Sequence, residues 1–302
     1  MRFPLPEHFP IRRYFVFFAA LQILWSSVGM CEATVVRFAS VLGPIDVRLY
    51  NTATPLTTAN FLNYSNDGDY VDSFIHRSVP GFVVQGGGFT FPSNEVGVEE
   101  IPTDPPVPNE PGISNLRGTI AMAKLGGDPD SATSQWFFNL GDNSENLDSQ
   151  NGGFTVFGRV VGDGMTVVDA IASLQTVPAG GPFDQLPVRD LEGQTVLKEN
   201  LVTFDSIAPL ELPDGDYNFD GTVDDADLAI WKNDFGSSTK AEADGNGNGV
   251  VDGADFLVWQ RNVGATAAQT SNLNVVPEPG SIWLLCLGIL AYFGRACLRA
   301  GE

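Results

Sequence analysis

Cysteine is nearly absent: the 302 residues hold three, Cys31, Cys286 and Cys297, all close to one end or the other. No disulfide can staple the long stretch between them, and a chain trimmed at both ends would contain none. Positive charge is scarce too, with 16 Lys and Arg against 37 Asp and Glu for a formal net charge of −21. A surface of that sign repels phosphate backbones, which excludes nucleic acid as a partner. With 43% hydrophobic residues the chain can build a real core, and its length allows one or two domains.

A long apolar run is missing as well. Near the start, Arg12 and Arg13 precede an apolar run from Tyr14 to Trp25, and small residues follow. This is the order of a secretory signal peptide, so residues 1–33 are read as one, cut after Ala33 or after Gly29, with an uncleaved anchor as the alternative. Near the other end VPEPG (Val276–Gly280) leads into an apolar run from Ile282 to Phe293, then Arg295 and Arg299. That run falls short of the roughly 20 residues of a comfortable membrane-spanning helix. Its basic end is expected to stay cytoplasmic.

Between the ends, Phe74–Gly88 reads FIHRSVPGFVVQGGG and sets Arg77, Phe82 and Gln85 among apolar residues. A few polar groups in an apolar setting are how small-substrate clefts are built. A second stretch, from Arg117, contains apolar runs at Thr119–Ala123 and Gln135–Leu140 and a strand-like run at Phe154–Val161. The motifs FxHRxxPGFxxQGG, GTxAMA, SATSQ and VFGRV occur here in order, and over Thr34–Ser206 the chain resembles the cyclophilins, peptidyl-prolyl cis-trans isomerases, in their compact bacterial form.

The resemblance implies a mainly β fold, an eight-stranded antiparallel barrel capped by two helices. Local patterns agree: a hairpin at Thr34–Ala39 and Ile45–Tyr50, helices at Thr54–Ser65 and Thr166–Leu174, and a closing strand at Asn200–Ile207. It also implies an enzyme that needs no cofactor for isomerisation and acts on proline-containing polypeptides. An X-Pro bond rotates slowly because amide resonance sets a barrier of about 18–20 kcal/mol. A catalyst has only to favour the twisted amide, whose nitrogen regains its lone pair, and an arginine donor can do so.

Carried over by position, the resemblance makes Arg77 the catalytic arginine, with Phe82, Gln85 and Phe137 completing the catalytic set. Val83, Ala123, Lys124, Gln135, Leu147 and Phe154 become the substrate-binding walls and rim. Phe154 stands where well-known eukaryotic members carry His, and Asn146 where they carry Trp. His76 is read as structural, because the reaction transfers no proton.

A separate acidic module follows. DYNFDGTVDDAD places Asp216, Asn218, Asp220, Thr222, Asp224 and Asp227 at positions 1, 3, 5, 7, 9 and 12 of a calcium loop, with Gly221 at the turn. DGNGNGVVDGAD repeats the register with Asp244, Asn246, Asn248, Val250, Asp252 and Asp255, and each loop runs into an apolar segment carrying Trp231 or Trp259. The pair resembles a type I dockerin, a small α-helical module with two Ca2+ sites and a cohesin-like or envelope partner. The C-terminal pattern resembles a PEP-type sorting signal cut by an exosortase-type enzyme.

The expected organisation is therefore a signal peptide (1–33), an isomerase domain (34–207), a linker (208–213), the calcium module (214–264), a second linker (265–275) and a sorting signal with a transmembrane segment (276–302). The expected function is an exported isomerase at the cell envelope or outside it, anchored at its C-terminus. The alternative is a non-catalytic proline-segment binder or surface-display protein acting through its module.

Overall fold

The computed structural model describes residues 34–92, 97–193, 195–240 and 242–267, all within one compact unit. The expected signal peptide and sorting signal lie outside the described residues. Among the described residues no helix is long and apolar enough to cross a membrane.

Eight antiparallel strands make one curled sheet. They are β1 (Val35–Ser40), β2 (Gly43–Leu49), β3 (Arg77–Val79), β4 (Val83–Gly86), β5 (Thr119–Met122), β6 (Trp136–Asn139), β7 (Val156–Val161) and β8 (Phe204–Pro209). Their order across the sheet is β8-β1-β2-β7-β5-β6-β4-β3. A single bridge between Phe74 and Thr203 ties together the approaches to the two edge strands. Alternation decides which side chains enter: Val36 and Phe38 are fully buried, while Arg37 between them is exposed and pairs with Asp46 across the hairpin at 2.7 Å.

The core is aromatic. Phe38 meets Trp136 edge-on at 5.0 Å, and Phe61, Phe138 and Phe204 surround it. Helix α1 (Pro55–Asp67) starts with proline in its first turn, as read from the sequence, and ends at Gly68, which takes the left-handed conformation (φ 80°). It packs against β8, while α3 (Gly164–Ala172) buries Val168 and Ile171 against β2. A single turn, α2 (Ser144–Leu147), lies between them in sequence. The expected architecture of barrel and two capping helices is present.

The closing strand starts later than the pattern suggested. Residues Lys198–Asn200 form a 3-10 turn in which the Asn200 amide accepts from the Leu197 N–H and donates to the Arg189 carbonyl. At the far end β8 continues through Pro209, and the Leu210 N–H still donates to the Val35 carbonyl.

The module after the barrel has two helices, α4 (Asp225–Asp234) and α5 (Gly253–Asn262), capped by Asp224 and Asp252 carboxylates that accept N–H bonds at 2.7 Å. The 28-residue repeat (244 − 216) closes on itself. The Trp231 indole donates to the Asp252 carbonyl and the Trp259 indole to the Asp224 carbonyl, both at 2.8 Å. Likewise the Gly236 N–H reaches Val251 and the Gly264 N–H reaches Val223. Each loop is thus pinned by the helix that follows the other.

Candidate functional site

Strand register lines up Arg77, Gln85 and Phe137. Arg77 faces Gln85 across β3 and β4, Gln85 faces Phe137 across β4 and β6, and Phe137 faces Ala121 on β5. The Gln135 carboxamide oxygen accepts from Gln85 Nε2 at 2.9 Å, and Gln85 Oε1 accepts from the Arg77 guanidinium at 3.4 Å. Gln135 therefore orients Gln85, and Gln85 orients Arg77.

The glycine run after Gln85 makes this possible. A Cβ at Gly86 would stand 2.7 Å from the Trp136 ring, one at Gly87 2.6 Å from the Ser134 carbonyl oxygen, and one at Gly88 2.9 Å from the Gln135 carboxamide. Only glycine lets the chain approach Gln135 so closely.

A cleft of about 210 Å3 opens beside Arg77. Phe82, Val83, Phe137, Leu147 and Phe154 supply its apolar walls, with Gln85, Ala123 and Lys124 at its polar side. Phe137 and Phe154 meet edge to face at 5.8 Å, so Phe154 fills the wall position as an apolar ring. Arg77 is half-buried, and burial pulls its guanidinium below its ordinary pKa. Gln135 touches the cleft only through Gln85. Asn146, by contrast, is exposed and does not line the cleft.

Lys124 lines the cleft with its ammonium already tied down. Its ammonium donates to the Gly153 carbonyl at 2.6 Å, to Asn151 at 2.9 Å and to Asn109 at 3.2 Å, and it lies 4.8 Å over the Phe154 ring. It locks the loop that presents Phe154.

Several residues of the site were not read from the sequence. Gln150 lines the cleft beside Leu147. Beneath it, buried amides run in a chain: Asn143 donates to the Phe82 carbonyl at 2.9 Å and to Asn139 at 2.7 Å, Asn139 donates to Asn115, and Asn115 reaches the Phe154 carbonyl at 3.2 Å. Phe82 and Phe154, two of the three aromatic walls, hang from this relay. Its signal was an asparagine inside an apolar run, Asn139 in WFFNL.

His76 is 2% exposed, edge-on to Phe89 at 5.1 Å, and its Nδ1 has no hydrogen-bond partner. Burial first, then the Arg77 charge, pushes its pKa from 6.5 down to about 4. The folded chain therefore keeps His76 neutral while the unfolded chain protonates it. Stability is fully present above pH 6.5 and is lost as pH falls toward 4, by up to about 3 kcal/mol. Urea midpoints measured between pH 7 and pH 4.5 should fall for the wild type, and His76→Phe should flatten that slope; equal slopes would remove His76 as the cause.

Among the described residues no three acidic, imidazole or thiol groups converge as metal ligands do, the aspartates of the expected metal positions included. Loop N–H groups take up much of their bonding instead. Asp227 accepts from Tyr217, Asn218 and Asp224, and Asp255 from Asn246 and Asp252. Other features do fit a hard cation. Asp216 Oδ1 is buried without any hydrogen bond, Gly221 and Gly249 make the left-handed turn at position 6 (φ 90° and 88°), and the donor set is all oxygen. Burial also raises the carboxyls of Asp216, Asp255 and Asp244, the last to about 6, a tendency a bound cation would reverse.

The family model for cyclophilin type peptidyl-prolyl cis-trans isomerase/CLD matches residues 35–192, that for the dockerin type I domain residues 214–264, and that for the PEP-CTERM protein-sorting motif residues 275–299. A peptidyl-prolyl cis-trans isomerase of Acinetobacter baylyi is 41% identical over 150 residues, 49% of this chain and 76% of the relative. Peptidyl-prolyl cis-trans isomerase B of Escherichia coli is 40% identical over 153 residues, 48% of this chain and 88% of the relative. A solved cyclophilin type isomerase of Cryptosporidium parvum superposes with a TM-score of 0.45 at 21% identity, covering 60% of this chain and 99% of that one. With the family model matching more than half of the chain and both bacterial relatives in agreement, the chain belongs to the cyclophilin type peptidyl-prolyl cis-trans isomerases and is an enzyme of that class.

Proposed function

We propose that this chain speeds rotation about X-Pro bonds in exported polypeptides, with Arg77 stabilising the twisted amide. The observation that carries the reading is the row Arg77, Gln85, Phe137 in register at the mouth of an apolar cleft. The proline ring enters among Phe82, Phe137, Leu147 and Phe154, where water is excluded and the less dipolar twisted amide is favoured. Arg77 offers its guanidinium to the prolyl nitrogen as the lone pair localises there, held in place by Gln85 and Gln135. Val83 and Ala123 bound the groove for the residues before proline, and Lys124 keeps its far wall in place. No proton moves, which agrees with a buried, neutral His76.

A protease-coupled assay on an Ala-Pro-Phe peptide tests this. The chain should raise cis-to-trans conversion above the uncatalysed rate; a rate equal to buffer would favour a proline-segment binder instead.

The rest of the chain supplies an address. Asp216, Asn218, Asp220, Asp224 and Asp227, and Asp244, Asn246, Asn248, Asp252 and Asp255, are the side chains that would hold two calcium ions, with Thr222 and Val250 giving main-chain carbonyls. When bound, calcium supplies only charge neutralisation and loop shape, and it takes no part in isomerisation. The sorting-motif match supports export, exosortase-type processing and residence at the envelope, and the dockerin match supports a cohesin-like partner. The boundaries 34–207 and 214–264 remain our division of catalytic and calcium-binding parts.

A further inference from the structure

Arg48 on β2 is 3% exposed, yet among the described residues it forms no ion pair. A buried guanidinium must be satisfied some other way. Its Nη1 donates to the Asp244 carbonyl at 3.1 Å and its Nη2 to the Asp216 carbonyl at 3.5 Å. The guanidinium also lies 5.5 Å from the Tyr217 ring and 5.4 Å from the Phe219 ring. Asp216 and Asp244 are position 1 of the two acidic loops, so one barrel side chain holds both loops at the same point.

The neighbouring barrel residues do the same. Thr52 Oγ1 donates to the Asn246 carbonyl at 2.7 Å, and the Thr52 and Ala53 N–H groups share the Gly247 carbonyl at 3.2 and 3.3 Å. Phe219, in the left-handed conformation (φ 63°), joins the apolar cluster of Phe137, Leu147 and Phe154 that walls the proline cleft. Beside Arg48 a cavity of about 290 Å3 lies along residues 209–216, so this joint is not packed solid.

All these polar contacts end on main-chain carbonyls of the loops: Asp216, Asp244, Asn246 and Gly247. The barrel reads the wound shape of the loop backbone and leaves the carboxylate oxygens to other partners. Winding brings like charges together, which calcium neutralises. We propose that the barrel is the docking partner of its own acidic module, and that calcium binding and docking form one linked equilibrium anchored by Arg48. This rests on the calcium reading of the loops.

The sign of the linkage makes it testable. Removing a positive charge beside the loops would by Coulomb's law alone tighten calcium binding. Losing the docked state would weaken it, because the coupling is reciprocal. In the full-length chain, calcium titrated against tryptophan fluorescence should show Arg48→Ala binding about tenfold more weakly than wild type, and Thr52→Val about threefold more weakly. Thr52→Val leaves the barrel strands untouched, so a folding defect in Arg48→Ala does not leave the question open.

Amide hydrogen exchange gives a second readout. Thr52 and Ala53 should be protected in calcium and exchange faster in chelator, while Tyr50, bonded within the barrel to Phe157, stays protected in both. If calcium binds but both variants match or exceed wild-type affinity and the Thr52 and Ala53 amides do not respond, the docking linkage is overturned and the calcium reading stands. No fluorescence or exchange response to calcium at all would overturn both.

Discussion

Arg77→Ala should lower kcat/KM for an Ala-Pro-Phe peptide about a hundredfold, the usual cost of removing one donor aimed at transition-state charge. Among the described residues Arg77 supplies the one positive charge at the cleft not already committed, since the other lining cation, Lys124, is spent on the carbonyls of residues 151 and 153. The substitution should leave the fold intact: Arg77 is half-buried on an edge strand, and its hydrogen bond to Gln85 is long at 3.4 Å. Unchanged circular dichroism and melting temperature would verify that. Arg77→Lys should fall between, because an ammonium keeps the charge but lacks the planar fork that Gln85 positions. Activity of Arg77→Ala within about twofold of wild type would take the guanidinium out of the chemistry and leave the apolar cleft as the catalyst.

Asp227→Ala should unfold the acidic module while the barrel persists. Asp227 is fully buried, and its carboxylate accepts N–H bonds from Tyr217 at 2.7 Å, Asn218 at 3.0 Å and Asp224 at 2.8 Å. Alanine would leave three amide donors without their acceptor, that of Tyr217 buried and those of Asn218 and Asp224 partly so, at about 1–3 kcal/mol each with the partly exposed pair at the low end. A loss of roughly 3 kcal/mol or more exceeds what two short helices sharing a small core can withstand. The loss should spread to the second loop, since Trp259 donates to the Asp224 carbonyl and Tyr217 to the Asp255 carbonyl. Denaturant unfolding followed at Trp231 and Trp259 would show the early transition disappear, with barrel circular dichroism retained. A wild-type midpoint would mean that the loop N–H groups find other acceptors.

One side of the cleft was legible in the sequence because its residues are neighbours with unusual chemistry, whereas Phe137, Leu147 and Phe154 entered only through the resemblance. Arg77, Phe82 and Gln85 lie within nine residues, and the glycines after them mark where the chain must pass Trp136 and Gln135. What stayed hidden was contact between distant segments. The amide chain from Asn143 through Asn139 to Asn115 spans separate stretches, and in sequence each looks like an ordinary polar residue. Lys124 read as a rim charge because nothing in sequence says that residues 151 and 153 turn their carbonyls toward it. The calcium loops were legible as spacing, whereas the N–H partners of Asp227 and Asp255 became visible only once the loops were wound.

The motifs between Phe74 and Val161 carried the resemblance that implied the barrel and the roles of Arg77, Phe82, Gln85 and Phe137, and the acidic loops showed their repeat directly, because glycine placement and ligand spacing are local. Arg48 is the counter-example, because its partners are set by long-range packing. In sequence it is one more residue on a strand, and residues 208–213 look like a linker between independent parts. In the fold its guanidinium is buried against carbonyls 168 and 196 residues away. Which distant carbonyl satisfies a buried charge depends on how two surfaces meet, and no local pattern encodes that.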